Sequence, residues 1–215
     1  MIILGIDPGT VNLGFAFLKT HSTLHSSLHF SSSVRKIQYL HSGTLKFSSQ
    51  IPFVERLFFI QEAFSKVVSE IQPDEVAFEA PIFVKNPTVL SKLAQVRGAL
   101  MATLGMSFQK KIFEYSPNLV KQTTTGFGHA DKLSVQKFLQ FQFPSFSENI
   151  IQNGGKTFSS FDESDALLVA LCHLFTHHSY GKMNNKMLKK STKKTASKKK
   201  NYNLAESLGH LTKNN

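Results

Sequence analysis

The first apolar run of the chain, Ile2-Ile3-Leu4-Gly5-Ile6, is nearly continuous, as expected of a strand covered on both faces. It ends on Asp7 and the turn pair Pro8-Gly9, so the chain reverses directly after a carboxylate. Gly14 to Leu18 reads as the returning strand of a hairpin. Residues 19–33, rich in Ser, Thr and His, form a long connection, and residues 34–48 alternate well enough for a third strand that completes an antiparallel meander. From Pro52 the pattern changes to a helical period. Val54, Leu57, Phe58, Phe64, Val67, Val68 and Ile71 recur at threes and fours, with Pro52 at the start and Pro73 just past the end. Glu75 to Glu79 is the next strand. A strand, a crossover helix and a further strand predict parallel pairing with the first strand, which would bring Asp7 and Glu79 to the same sheet edge.

Thr88 to Leu104 reads as a second helix, with Gly98 inside it as a mark of close helix packing. Lys111 to Tyr115 is a further parallel strand. Ser116 and Pro117 are the N-cap and first residue of a short helical turn, Asn118 to Gln122. Ala130 to Phe141 is the next helix, with Asp131 in its first turn and Leu133, Val135, Phe138 and Leu139 available for burial. Residues 143–160 are loop-like, and Phe161 to His178 form a helix apolar on nearly every side. The fold class is therefore α/β, a mixed five-stranded sheet of a three-strand antiparallel meander plus parallel strands, flanked by helices.

Composition divides this picture in two. The net charge is +11, but residues 182–215 hold ten Lys against the single acid Glu206, leaving a net +2 on residues 1–181. The expected organisation is a catalytic domain over 1–180 and a lysine-rich, disordered tail over 181–215. Such a tail strengthens nonspecific nucleic-acid binding, or it merely keeps the chain in solution. One cysteine, Cys172, excludes an internal disulfide and a cysteine zinc site, and reads as a small buried hydrophobe on a helix. No apolar run approaches the ~18 residues of a membrane span, so a soluble, unsecreted, cytoplasmic protein with no membrane partner is expected. His21, His25 and His29 have helical ligand spacing, but the intervening Ser and Thr argue against a helix and a metal site there.

The chemistry lies in the carboxylates. Asp162 and Asp165, three residues apart, share a helix face, while Glu163 points about a quarter turn away. Alone, these acids read as ordinary first-turn residues, and Asp7 alone reads equally well as a turn residue. Together, Asp7, Glu79, Asp162 and Asp165 could converge at one sheet edge, where they would repel one another unless divalent cations neutralised them. An all-oxygen set suits Mg²⁺, with Mn²⁺ as a substitute, and is poor for zinc. Two such ions about 3.5–4 Å apart activate water and stabilise the leaving oxygen of a phosphodiester. The chemistry expected is hydrolysis of a nucleic-acid backbone.

These residues carry a resemblance. Asp7-Pro8-Gly9-Thr10 after an apolar strand, Glu79 before Phe83-Val84-Lys85-Asn86, Lys92-Leu93-Ala94-Gln95-Val96-Arg97-Gly98, Val120-Lys121-Gln122 with Gly126, Gly128 and Ala130-Asp131-Lys132, and Asp162-Glu163-Ser164-Asp165-Ala166 follow one another in the order and spacing of the RuvC family. The likeness spans roughly residues 1–178 and resembles Holliday junction resolvases of the ribonuclease-H-like superfamily. It implies a ribonuclease-H-like fold and a homodimer that binds four-way junction DNA and cuts two strands symmetrically, in recombination and repair. A branch-migration helicase complex would be a further partner. It implies Asp7, Glu79, Asp162 and Asp165 as metal ligands, and Lys121 and Lys132 as catalytic lysines. Lys85, Asn86, Lys92 and Arg97 would contact DNA phosphates, and Ile82 or Phe83 would act at the junction centre, because the family's aromatic position holds Ile82 here. Residues 19–33 and 143–160 are longer than the family pattern, and the lysine tail is an addition. The Asp-Pro-Gly-Thr hairpin also resembles the first phosphate loop of actin-like ATPases, but the chain has no room for their second lobe. Two alternatives remain from this pattern, a YqgF-type nuclease acting on RNA and a junction-binding protein without catalysis.

Overall fold

A computed structural model describes residues 1–20, 37–81, 86–105, 108, 111–143, 158 and 160–179. Strand β1 (Ile2–Asp7) is the centre of a sheet ordered β3-β2-β1-β4-β5. It pairs antiparallel with β2 (Asn12–Thr20), and β2 pairs antiparallel with β3 (Ile37–Lys46). On its other side β1 runs parallel to β4 (Glu75–Glu79), which runs parallel to β5 (Ile112–Tyr115). This is the expected meander joined to parallel strands. The connections require it, since a tight turn follows β1 whereas helix α1 (Phe53–Ile71) bridges β3 and β4.

The other helices are α2 (Pro87–Leu104), α3 (Pro117–Thr125), α4 (Lys132–Gln142) and α5 (Phe161–His173), the last continuing as a π-helical turn over Leu174–Ser179. Their ends follow local chemistry. Asn86, Ser116, Asp131 and Ser160 each accept a backbone N–H at a helix start. Gly126 ends α3 at φ 81°, a left-handed conformation open to glycine.

Strand alternation sends side chains to two cores. Leu4, Ile6, Phe15, Phe17, Val76 and Phe78 pack against Ile60 and Phe64 of α1 and Val96 and Leu100 of α2. Ile3, Ala16, Leu18 and Ala77 face the opposite way, onto the buried helix α5 with α3 and α4 beside it. By the same alternation Asp7 shares the α5 side with Ile3 and Gly5, and Glu75 and Glu79 share it with Ala77. Cys172 is buried in that second core, as expected, and burial pushes its thiol up to about 11.

Several local expectations are corrected. Val54 and Phe58 lie exposed on α1, whose buried stripe runs instead through Arg56, Ile60 and Phe64. Leu133 of α4 is exposed too, leaving Val135 and Leu139 to fill the core. Asp131 caps α4 rather than lying within it, and α3 runs three residues past the expected short turn. Gly98 has open space where a Cβ would stand, so it marks no close packing. Close packing occurs at Gly5 and Gly14. A Cβ on Gly5 would lie 2.1 Å from the Ala166 carbonyl oxygen, and one on Gly14 would lie 2.0 Å from that of Asp162. Residues 19–33 beyond Thr20, with His21, His25 and His29, most of the 143–160 loop and the tail beyond Ser179 lie outside the described residues.

Candidate active site

Gly14 stands opposite Asp7 in the β1/β2 ladder. Because it has no side chain, the first turn of α5 rests directly on the sheet there, bringing the Asp162 backbone onto the strand pair that carries Asp7. Asp162, Ala166 and Ala170 recur every four residues, so one narrow stripe of α5 lies along Gly14 and Gly5. The glycines therefore set how near the helix acids come to the strand acids.

A second device fixes the start of α5 laterally. Glu163 is buried, and its Oε1 accepts a 2.6 Å hydrogen bond from Ser42 Oγ, which is itself 2.9 Å from Tyr39 Oη. Ser160, the N-cap, accepts from the Glu163 N–H at 3.2 Å and shares a hydrogen bond with Thr44 Oγ1. Ser42 and Thr44 both belong to β3, so the meander's outer strand holds the helix that carries Asp162 and Asp165. Sequence reading noted only that Glu163 points away from its neighbours. Its partner lies 121 residues earlier, on a strand recognised only by alternation.

The four expected carboxylates come within electrostatic reach of one another. Burial raises Asp7 to about 7, the charges of Asp165 and Asp162 push the same way, and a hydrogen bond from Glu79 opposes them. Burial also raises Glu79 to about 8, helped by the charges of Asp7 and Asp165 and by the hydrogen bond it donates to Asp7. Asp165 is raised by burial and by Asp162, against the attraction of Lys121 and Lys132. Thus Asp7 and Glu79 hold a proton between them, as crowded carboxylates do when positive charge is insufficient. This oxygen-only donor set with surplus negative charge fits a hard divalent cation, which would take the proton's place.

Both lysines lie at this edge. Lys121, on α3, attracts Glu79 and Asp165. Lys132 begins α4, acts on Asp165, and lies 4.0 Å from the centroid of the Phe161 ring. A cleft of about 200 Å³ opens beside the acids, lined by Asp7, Glu79, Pro81, Leu93 and Arg97 among others.

The expected DNA contacts fare differently. Ile82, Phe83 and Lys85 lie outside the described residues. Asn86 caps α2 by accepting from Thr88 N at 2.9 Å and Val89 N at 3.4 Å. Lys92 reaches over the Phe53 ring, 5.4 Å from its centroid, and Arg97 pairs with Glu114 of β5 at the border of the cleft. Each of these three has a structural task within the fold.

The family model for "Crossover junction endodeoxyribonuclease RuvC" matches residues 3–173, a span that runs from the second residue of β1 to the end of α5. Among curated relatives, the RuvC of Rickettsia felis is 33% identical over 175 residues, covering 81% of this chain and 98% of that protein. The RuvC of Christiangramia forsetii is 33% identical over 174 residues, covering 81% of this chain and 79% of the relative. Among solved structures, Thermus thermophilus RuvC in complex with Holliday junction substrate superposes with a TM-score of 0.64 at 26% identity, over 81% of this chain and 93% of that one. With the family model spanning most of the chain and relatives a third identical to it, the chain belongs to the RuvC family of crossover junction endodeoxyribonucleases.

Proposed function

We propose that this protein resolves Holliday junctions, cutting two strands of a four-way DNA junction by metal-dependent phosphodiester hydrolysis. The observation that carries the reading is the gathering of Asp7, Glu79, Asp162 and Asp165, with Lys121 and Lys132, at one sheet edge of a RuvC-family chain. The RNA-directed and the non-catalytic alternatives are not favoured, since the relatives and the solved structure are junction endonucleases.

In this reading Asp7, Glu79, Asp162 and Asp165 hold two Mg²⁺ ions, or Mn²⁺, which when bound supply an activated water and stabilise the leaving oxygen. Asp7, on the rigid central strand, anchors the set, while α5 brings Asp162 and Asp165 to it. Lys121 balances the charge of Glu79 and Asp165 and holds the scissile phosphate beside them. Lys132, steadied on Phe161, adds positive charge where the transition state gathers negative charge. Arg97, Lys92 and Asn86 border the DNA path, so their phosphate contacts add to their structural tasks. Two copies of the chain present two such edges to the two strands of a symmetric junction. Exposed apolar residues on α1, Val54, Phe58 and Phe59, supply surface that a second copy could cover. The action belongs to the cytoplasm, alongside a branch-migration helicase, and among the described residues no helix is long and apolar enough to cross a membrane.

The test is cleavage of a synthetic four-way junction and of a linear duplex in Mg²⁺. The wild type should cut the junction selectively, at paired positions. Asp7→Asn should lower the rate by roughly three orders of magnitude or more while keeping junction affinity within a few-fold. Full-rate cutting by Asp7→Asn, or equal cutting of the duplex, overturns the reading.

A further inference from the structure

At the far end of β4 from Glu79, a second group of ligand-type side chains meets α5. Glu75 Oε2 lies 2.8 Å from His173 Nε2, and one ligand atom each from Glu75, His173 and His177 lie within 4.8 Å of one another. β4 rises about 3.3 Å per residue, so this group sits roughly 13 Å along the strand from the catalytic carboxylates. We propose that Glu75, His173 and His177 form a binding site for a borderline divalent cation, Zn²⁺ in the first instance, separate from the carboxylate cluster.

Three features point that way. The donors are two imidazole nitrogens and one carboxylate oxygen, a set that suits Zn²⁺ and not Mg²⁺. His173 and His177 stand four residues apart at the end of one helix, with rings stacked at 5.3 Å and 26°. Phe113 holds both, at 4.4 Å from the His173 ring and 4.5 Å from that of His177. His173 is oriented as a metal-binding histidine is, because its other nitrogen, Nδ1, is engaged 2.7 Å from the buried Tyr115 hydroxyl. Nε2 faces the Glu75 oxygen across 2.8 Å, and the space between them takes either the imidazole's own Nε2–H or a metal cation.

Access and geometry allow the cation. His173 is fully buried, but the Glu75 side chain is 17% exposed and His177 faces solvent, so an ion can enter past His177 and keep water as a fourth ligand. Two ligands on a tetrahedral Zn²⁺ stand about 3.4 Å apart. Glu75, at the first position of its strand, needs to withdraw from His173 by only about half an ångström to meet that. Bound there, Zn²⁺ would clip the start of β4 to the last turns of the α5 helix and stabilise the folded chain by linkage. This does not depend on the catalytic reading, since no ligand is shared.

Zn²⁺ titration of the full-length protein in excess Mg²⁺, against a chromogenic chelator, tests the site. The wild type should bind one Zn²⁺ more than His177→Ala, or the same ion at least tenfold more tightly, and Co²⁺ should give a visible tetrahedral absorption that His177→Ala loses. Zn²⁺ should raise the wild-type Tm more than that of His177→Ala or His177→Gln. Both variants change an exposed side chain, and junction cleavage in Mg²⁺ should be unchanged in them. Equal Zn²⁺ stoichiometry, affinity and Tm shift across the three proteins overturns the proposal and leaves a proton as the bridge between His173 and Glu75.

Discussion

The two ends of β4 present the same device with opposite chemistry. At each end a glutamate points to the α5 side of the sheet, Glu79 toward the helix start and Glu75 toward its finish. Glu75 meets an imidazole that Tyr115 fixes from behind, so its charge is answered within the fold. Glu79 meets Asp7 and, from α5, Asp165, and its charge is answered by a proton and by Lys121 of α3. A buried charge without a sufficient partner costs several kcal/mol, so the fold tolerates at one end what it avoids at the other. Such an imbalance is the mark of a site arranged for something that arrives later, here cation and phosphate together.

The strongest way to break the contrast is to move α5 at one end only. Gly14→Ala places a methyl group 2.0 Å from the position of the Asp162 carbonyl oxygen, so the first turn of α5 must lift or tilt. The expected result is a loss of roughly a hundredfold or more in junction cleavage, with a stability cost of about 1–3 kcal/mol. Junction affinity should change little, because Lys121 and Lys132, the lysines proposed to act on the phosphate, lie on α3 and α4. Paired cleavage and urea-unfolding measurements check it, and a cleavage loss no larger than the stability loss explains would show that the helix position is not critical.

The sequence carried the strand acids more clearly than what positions them. Asp7 and Glu79 are legible because each ends an apolar run, and a strand–helix–strand order dictates that parallel strands share an edge. Asp162 and Asp165 are legible through helical spacing and through the apolar length behind them. The anchoring of Glu163 by Ser42 was not, because both are ordinary polar residues and only the tertiary register joins them. Gly98 and Gly14 show the same limit from both sides. A glycine announces that something needs space, but the approach of another element decides which glycine is used, and here it is Gly14. Val54 and Phe58 fit the period of α1 yet lie outward, because Arg56 and Ile60 complete the buried stripe and the helix is apolar on two faces. Glu75 and His173 were legible in principle, since Glu75, Ala77 and Glu79 alternate onto one sheet face, but they lie far from the acids that draw notice.

A subtler separation uses pH. Asp7 and Glu79 titrate near 7 and 8 in the folded chain against ordinary values of 3.8 and 4.5, so the folded state binds the extra protons between about pH 4 and 8. Stability contributed by those protons is full below the unfolded values and is lost as pH rises through the folded ones. In EDTA the Tm should therefore fall by roughly 5 °C from about pH 6 to about pH 8.5. Mg²⁺ should restore more of it at the higher pH, where it no longer competes with protons. Asp7→Asn should flatten the EDTA profile, since an amide removes one charge from the cluster. A wild-type Tm that rises over this range would mean that the carboxylates are already neutralised by the lysines.

The smallest effect belongs to the satisfied end. Tyr115→Phe removes the hydroxyl that lies 2.7 Å from His173 Nδ1 and leaves the ring in the core. His173 would lose the partner that fixes its tautomer, at a cost of about 1–2 kcal/mol for one buried hydrogen bond. Junction cleavage at full Mg²⁺ should stay within twofold, because the change acts at the finish of α5 and the helix start is held independently by Gly14, Ser42 and Thr44. Thermal unfolding and cleavage rates measured on the same preparation check both halves. A cleavage loss of tenfold or more with an intact fold would mean that α5 transmits displacement from one end to the other, and the two ends of β4 would then be one site mechanically although they are two chemically.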